Sequence, residues 1–298
     1  MLGEPGRPYD LMFSSDGKTL AVLEAEQTVQ KDGLLFSIVF WDTETWIAVR
    51  RLALTPPDQA NKMTLGSDLK TAAFLTSLYQ PWRLSKVIVR AYDATRNEQL
   101  FSIPLDANYF PVENMTFSPD IRFLALQPAG HPGKVIELAS QRVCLEFSPV
   151  KTTPPKLLFM STECFSPDGQ TLAVAESDQK GILEDAGISL WDLRESKRQT
   201  FLKAYFYSYS LAFSPDGKLL ASGGGGSDAR FDKGGVTIWN WKDEIELVNL
   251  PLDHPVRCVA FSPDGKTLAY GLDGWAGIGG GLEFVKLDDL SKAPGGND

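Results

Sequence analysis

The sequence predicts an all-β chain built from six tandem four-stranded antiparallel sheets. Three observations carry this: one phrase repeated at a nearly fixed period, the turn chemistry inside that phrase, and short apolar runs with no helical periodicity between the turns. The phrase is Phe261-Ser262-Pro263-Asp264-Gly265-Lys266-Thr267-Leu268-Ala269, and it recurs, more or less worn, from Phe13, Leu65, Phe117, Phe165 and Phe213. The intervals are 52, 52, 48, 48 and 48 residues, a spacing that marks a repeat architecture. Within each copy an apolar strand ends at the Phe. Pro fixes φ near −65°, Asp bonds its own backbone, and Gly tolerates positive φ, so the chain reverses tightly into a second apolar strand.

The repeats follow in order. The first runs from Tyr9 through Phe13, a second strand Thr19 to Leu23, a loop Glu24 to Gly33, a third strand ending in Trp41-Asp42, and a fourth from Trp46 to Leu54. The second is the most eroded: Leu65 replaces Phe, the turn Pro and Gly are lost, and its inner loop is expected over Ser77 to Ser85. In the third, Ile121 stands where the turn Gly should be and the Trp-Asp position is Glu137-Leu138. The fourth is regular, with Trp191-Asp192 and a charged loop from Glu176 to Gly187. The fifth carries Gly223 to Gly226 and Trp239-Asn240, and the sixth a Gly-rich loop around Trp275 and a strand Leu282 to Lys286. Residues 288–298 read as a tail. No Pro/Gly/Ser linker breaks the series, so one domain over 1–298 is expected.

Composition bounds the function. The chain has 298 residues, 43% hydrophobic and 22% charged, with a net charge of −9, which is an ordinary globular balance. The acidity and the lack of a basic stripe argue against nucleic acid and against an anionic membrane surface. Cys144, Cys164 and Cys258 are odd in number and far apart, so no disulfide framework or zinc spacing emerges, and Cys258 is expected as a buried thiol. Met1 to Gly6 lacks the features of a signal peptide and no run approaches a membrane span, which leaves cytoplasm as the default. Gly17-Lys18-Thr19 and Gly265-Lys266-Thr267 imitate the end of a phosphate-binding loop, but the required earlier glycine is Met12 or Ala260.

The phrase, followed about 25 residues later by Trp-Asp, resembles the WD40 repeat, especially its bacterial members, over roughly Tyr9 to Leu287. The resemblance implies a β-propeller: radial four-stranded blades around a central channel, each built from inner to outer strand. The repeat positions it assigns are Phe13, Phe117, Phe165, Phe213 and Phe261 in the turn phrase, and Trp41, Asp42, Trp191, Asp192 and Trp239 at the Trp-Asp position. His254 alone fits the family's structural histidine; the equivalent positions hold Asp58, Phe110, Leu158 and Phe206. No blade is therefore expected to hold the family's full polar network, and apolar burial must carry the blades. Six repeats supply five outer strands between them. The sixth blade is thus either thin, or the chain is an incomplete seven-bladed ring; the even spacing favours six blades.

The resemblance places both repeat turns on one face and the variable loops on the other. Variable loops on a rigid scaffold are where binding resides. The expected function is a non-catalytic scaffold that docks a protein or peptide there, with Tyr79, Trp82, Arg83, Tyr109, Phe110, Arg230, Phe231 and Trp275 as aromatic and cationic anchors. The alternatives are a propeller hydrolase or lactonase, or a small-molecule sensor, at the channel mouth. Only His131 and His254 are present, neither beside a nucleophile, which argues against an enzyme. Glu176, Asp178, Glu184 and Asp185 lack calcium-loop spacing and read as a solvated surface. No catalytic residue, metal ligand or cofactor is assigned.

Overall fold

A computed structural model describes residues 7–14, 16–27, 34–54, 60–65, 69, 71–80, 83–93, 96, 98–105, 112–128, 132–147, 162–176, 187–204, 206–225, 233–272 and 281–287. The strands fall into six consecutive sheets. The first holds β1 (Arg7–Phe13), β2 (Thr19–Gln27), β3 (Leu34–Asp42) and β4 (Ile47–Leu54), and the second β5 (Ala60–Leu65), β6 (Thr71–Gln80), β7 (Arg83–Asp93) and β8 (Glu98–Leu105). The third holds β9 (Val112–Phe117), β10 (Phe123–Pro128), β11 (Gly133–Glu137) and β12 (Arg142–Phe147), and the fourth β13 (Glu163–Phe165), β14 (Thr171–Glu176), β15 (Gly187–Asp192) and β16 (Lys197–Lys203). The fifth holds β17 (Tyr207–Phe213), β18 (Leu219–Gly225), β19 (Gly234–Asn240) and β20 (Ile245–Leu252), and the sixth β21 (Val256–Phe261), β22 (Thr267–Leu272) and β23 (Leu282–Lys286). Every sheet is an antiparallel meander in sequence order.

The first strands of neighbouring sheets touch in turn, β1 to β5, β9, β13, β17 and β21, and β21 touches β1 again. Six sheets therefore close into a ring with the phrase-bearing strands innermost: a six-bladed propeller. Alternation along the inner strand sets the cores. The phrase Phe and, in four described repeats, the residue two before it point back at the preceding sheet. Thus Met115 and Phe117 pack on Leu75, Val89 and Ile103. Leu211 and Phe213 pack on Ile188, Leu190 and Leu202, and Val259 and Phe261 on Val236 and Ile238. Leu11 and Phe13 pack on Cys258, Ala260 and Ala269, so the ring is closed by the same kind of seam that holds its other sheets together.

The turn phrase has more chemistry than a Pro-Asp-Gly reversal. In five sheets its Ser hydroxyl donates to the Asp two residues on, as in Ser14, Ser118, Ser166, Ser214 and Ser262, all at 2.6–2.7 Å. The same hydroxyl accepts the N–H of the residue that opens the second strand: Thr19, Phe123, Thr171, Leu219 or Thr267. The Asp in turn accepts the backbone N–H two residues further on. Gly17, Gly169, Gly217 and Gly265 take φ of 65–71° at this turn. Where the glycine is lost, Leu69 (φ 54°) and Ile121 (φ 57°) are forced into the same left-handed region. Ile121 recovers something by packing on the second sheet's core.

The turn after the third strand sits on the same face, since Thr43 N–H donates to the Lys18 carbonyl and Leu193 N–H to that of Gln170. Asp42 shapes it by accepting from Glu44 N, Thr45 N and Thr45 Oγ1; Asp192 does so from Arg194 N and Glu195 N.

One detail follows the sequence expectation and another departs from it. Among the described residues the sixth sheet has three strands, the shortage that the strand count anticipates. Trp46, at the left-handed position of the first sheet's second turn, reaches over and packs on Phe284 of β23, ring centroids 3.8 Å apart. The loop expected over Ser77 to Ser85 is mostly strand: pairing continues to Gln80↔Arg83. The β-branched and aromatic residues along both strands support that extension.

The phrase yields a stability prediction. Gly169 has open space around a would-be Cβ and φ of 65°, so Gly169→Ala costs backbone strain alone, about 1–2 kcal/mol. Ser166→Ala strips a buried N–H of its acceptor and costs about 2 kcal/mol. Denaturant midpoints of the two variants check both. The Ser166 hydroxyl, then the Gln170 N–H, hold the Asp168 carboxyl below the usual carboxylate range. That contribution is present above the unfolded value and is lost only as pH falls through the depressed folded one.

Candidate binding site at the channel and the third seam

The six inner strands surround a channel of about 550 Å³ lined by residues from every sheet. Near the turn face its wall is the phrase itself, including Phe13, Pro119, Pro167, Pro215 and Pro263. Deeper along the strands it becomes polar: Thr64, Asn114, Thr162, Glu163, Tyr209, Ser210 and Arg257. The Arg257 guanidinium lies over the Tyr209 ring, 4.8 Å from its centroid, a cation–π contact.

The polar wall is densest between the third and fourth sheets. Asn114 Nδ2 donates across the seam to Thr162 Oγ1 at 3.2 Å and Glu163 Oε2 at 3.3 Å. Glu163 occupies the position two before the phrase Phe, which is Leu11, Met63, Met115, Leu211 or Val259 in the other repeats. It is 3% exposed. Val174 lies directly opposite Glu163 in the ladder, and Ser189 opposite Val174, so Glu163, Val174, Glu176 and Ser189 share one face. Trp191 Nε1 donates to Ser189 Oγ at 2.9 Å, and the Ser189 hydroxyl hydrogen-bonds Glu176.

Glu176 was expected in a solvated acidic loop. Instead it is the last residue of β14 and 4% exposed. The reason is that strand pairing runs on to Glu176↔Gly187, which carries the side chain into the seam. Burial, opposed by Ser189 and Arg198, pushes its carboxyl up to about 7. The first sheet holds an acid at the same strand position, Glu24. There Arg51 lies 2.8 Å away and also donates to Ser37 Oγ. In the fourth sheet the ladder puts Phe201 where Arg51 stands, since Val39 pairs with Arg51 and Ser189 with Phe201.

The structure places the expected anchors unevenly. Tyr79 pairs with Leu84 near the end of β6, and Arg83 opens β7. Trp82, Tyr109, Phe110, Arg230, Phe231 and Trp275 lie outside the described residues, as do His131, Asp178, Glu184 and Asp185. The repeat residues stand as core and turn groups. Phe13, Phe117, Phe165, Phe213 and Phe261 are buried. Among the described residues the indole N–H groups of Trp41 and Trp239 bond nothing, whereas that of Trp191 donates to Ser189 Oγ. His254 is partly buried just before β21. Cys258 is buried, as expected, and burial raises the Cys164 thiol far above its usual value.

The seam residues Asn114, Thr162, Glu163 and Ser189, and Arg257 in the channel, were not singled out from sequence. Laying the six repeats over one another would have shown Glu163 as the one acid in an apolar column.

Glu176 gives a pH prediction. A carboxyl whose folded value is raised binds its proton more tightly when folded, so its contribution is greatest below the unfolded value. It falls as pH rises from about 4.5 to about 7 and is constant above. In buffer free of added cations, Glu176→Gln removes that loss and raises stability at pH 8 by about 3 kcal/mol. At pH 4 it changes stability little. Urea unfolding of both proteins at the two pH values measures the difference.

Among known families, the chain matches the model of the WD domain, G-beta repeat, at residues 198–240 and 248–276. A comparison with curated proteins finds no match. The first matched segment begins on the outer strand β16 and runs through β19; the second begins on β20 and takes in β21 and β22. Each thus starts from the preceding sheet's outermost strand and includes one intact phrase. With six phrase-bearing sheets closed into a ring, the chain is a six-bladed β-propeller that carries WD repeats over the matched residues.

Proposed function

We infer that this propeller is an interaction scaffold that docks a protein or peptide on the loop face, opposite the turn phrases. WD40 domains generally mediate protein interactions. The observation that carries the choice of face is the uniformity of the other one. Five turns share one Ser–Asp clamp with the same three hydrogen bonds, and the Asp-centred second turns stand beside them. A surface that repeats itself around a ring offers no unique address. Individuality lies at the opposite ends of the strands, where the β6–β7 hairpin extends to Gln80 and Arg83.

On this reading Tyr79, Trp82, Arg83, Tyr109, Phe110, Arg230, Phe231 and Trp275 are the anchors, aromatic and cationic groups being the usual hot spots of interfaces. Binding is to another protein, without nucleic acid or membrane; no described helix is long and apolar enough to cross a bilayer. The net charge of −9 favours a partner with a basic surface. No catalytic step is assigned, and the described channel wall contains no histidine.

The test is quantitative capture of partners by wild type, by Trp82→Ala with Trp275→Ala, and by a turn-face control, Lys18→Ala with Lys218→Ala. Loss of about tenfold or more in partner recovery from the aromatic pair alone, with the control unchanged, is the expected result. Equal recovery by all three, or loss in the control only, contradicts the choice of face.

A further inference from the structure

An isolated buried carboxylate is costly, and a protein holds one only with a partner charge, a proton or a metal beside it. The two sheets that carry an acid at the end of the second strand solve this differently. In the first, Arg51 supplies the positive charge to Glu24 at 2.8 Å. In the fourth, the corresponding place on the outer strand is Phe201, whose ring sits against Gly187 so closely that a Cβ there would meet it at 2.3 Å. Glu176, 4% exposed, has Ser189 as a hydrogen-bond partner and feels the charge of Arg198, but among the described residues it makes no ion pair of the Arg51 kind, and its Oε1 is buried and accepts nothing there.

A second carboxylate stands on the same face. Glu163 and Glu176 lie on paired strands, one diagonal step apart, with about 7–8 Å between such backbone positions. One ion can bridge side chains that converge from that spacing. Thr162 Oγ1 lies beside Glu163, bonded by the same Asn114 amide. Gln127, directly opposite Asn114 in the ladder and 1% exposed, turns toward the same seam. All these ligating atoms would be oxygens. Carboxylate, amide and hydroxyl oxygens suit a hard cation such as Ca²⁺. Phe147 and Trp191 pack behind the seam, rings 6.3 Å apart. Asn114, Thr162 and Glu163 line the channel, which gives the ion a path from solvent, and the overall negative charge attracts it.

The geometry points to a hard-cation site of the Ca²⁺ class at the seam between the third and fourth sheets, in which Glu176 and Glu163 supply the charge and Thr162 and Gln127 neutral oxygens. The ion does for the fourth sheet what Arg51 does for the first. It ties two neighbouring sheets together at the channel wall, independently of any partner on the loop face.

The experiment uses the whole chain at pH 8 with Tb³⁺ as the probe, excited through tryptophan. Trp191 is bonded to Ser189, which is bonded to Glu176, so an ion here is close to a sensitiser. The expected result is saturable Tb³⁺ luminescence that Ca²⁺ displaces, lost in Glu176→Gln and retained in Glu24→Gln. CaCl₂ raises the melting temperature of wild type at pH 8, and the increment disappears at pH 5. Luminescence equal in wild type and Glu176→Gln overturns the site. So does a wild-type melting temperature that CaCl₂ leaves unchanged at pH 8 while acidification to pH 6 raises it, because a proton alone would then neutralise Glu176. Circular dichroism of Glu176→Gln shows whether it is folded; if it is not, the pH-dependent Ca²⁺ increment in wild type decides.

Discussion

One serine hydroxyl in each of five repeats sets the geometry on which the ring depends. In five sheets it donates to the turn Asp and accepts the N–H that opens the second strand. That pair of hydrogen bonds fixes where the inner strand ends and the next begins. It therefore fixes which side chains face the preceding sheet. Each phrase Phe then lands in a seam, and the five seams described to this design belong to a ring that closes on itself. Neighbouring turns also touch: a Cβ on Gly217 would meet Pro167 at 3.8 Å, and one on Gly265 would meet Pro215 at 3.8 Å. Proline in one repeat is thus fitted to glycine in the next, and the phrase works between sheets as well as within them.

This constraint explains why the worn repeats survive. Ile121 takes a left-handed backbone that its branched side chain disfavours, yet Ser118 and Asp120 keep their bonds and the third sheet forms. The family's tryptophan network is dispensable for the same reason. Trp239 is 4% exposed with an unbonded N–H, while Trp241 two residues on packs edge-to-face on Phe213 and donates to the Gly217 carbonyl. At the sixth sheet, which has three strands among the described residues, Trp46 packs against Phe284 and adds aromatic burial.

The fold was legible because its determinants are local and repeated. Phe, Ser, Asp and Gly act within a few residues of one another, so six copies could be read by eye. Ser166 and its equivalents were visible only as part of a motif, since their hydrogen bonds need a three-dimensional turn. The seam was harder. Asn114 and Glu163 are 49 residues apart and meet only because adjacent sheets pack side by side. Glu176 was misread for another reason: with charged neighbours on its C-terminal side it looks like a loop, and only the ladder to Gly187 shows that it is turned inward. The anchors of the loop face were chosen by residue type, which says nothing about how they converge.

Turn face and channel wall therefore have opposite characters: the first is uniform and closed on itself, the second is individual where the third and fourth sheets meet. The ring depends on the Ser–Asp clamp being a formed interaction rather than a sequence habit. Residue-resolved amide hydrogen exchange tests it most directly at Gln170 and Lys218, whose N–H groups sit in exposed turns yet donate to Asp168 and Asp216. A formed clamp gives protection comparable to the adjoining strands at both amides, lost in Ser166→Ala at Gln170 only. Exchange at the rate of an unstructured chain in wild type would contradict it.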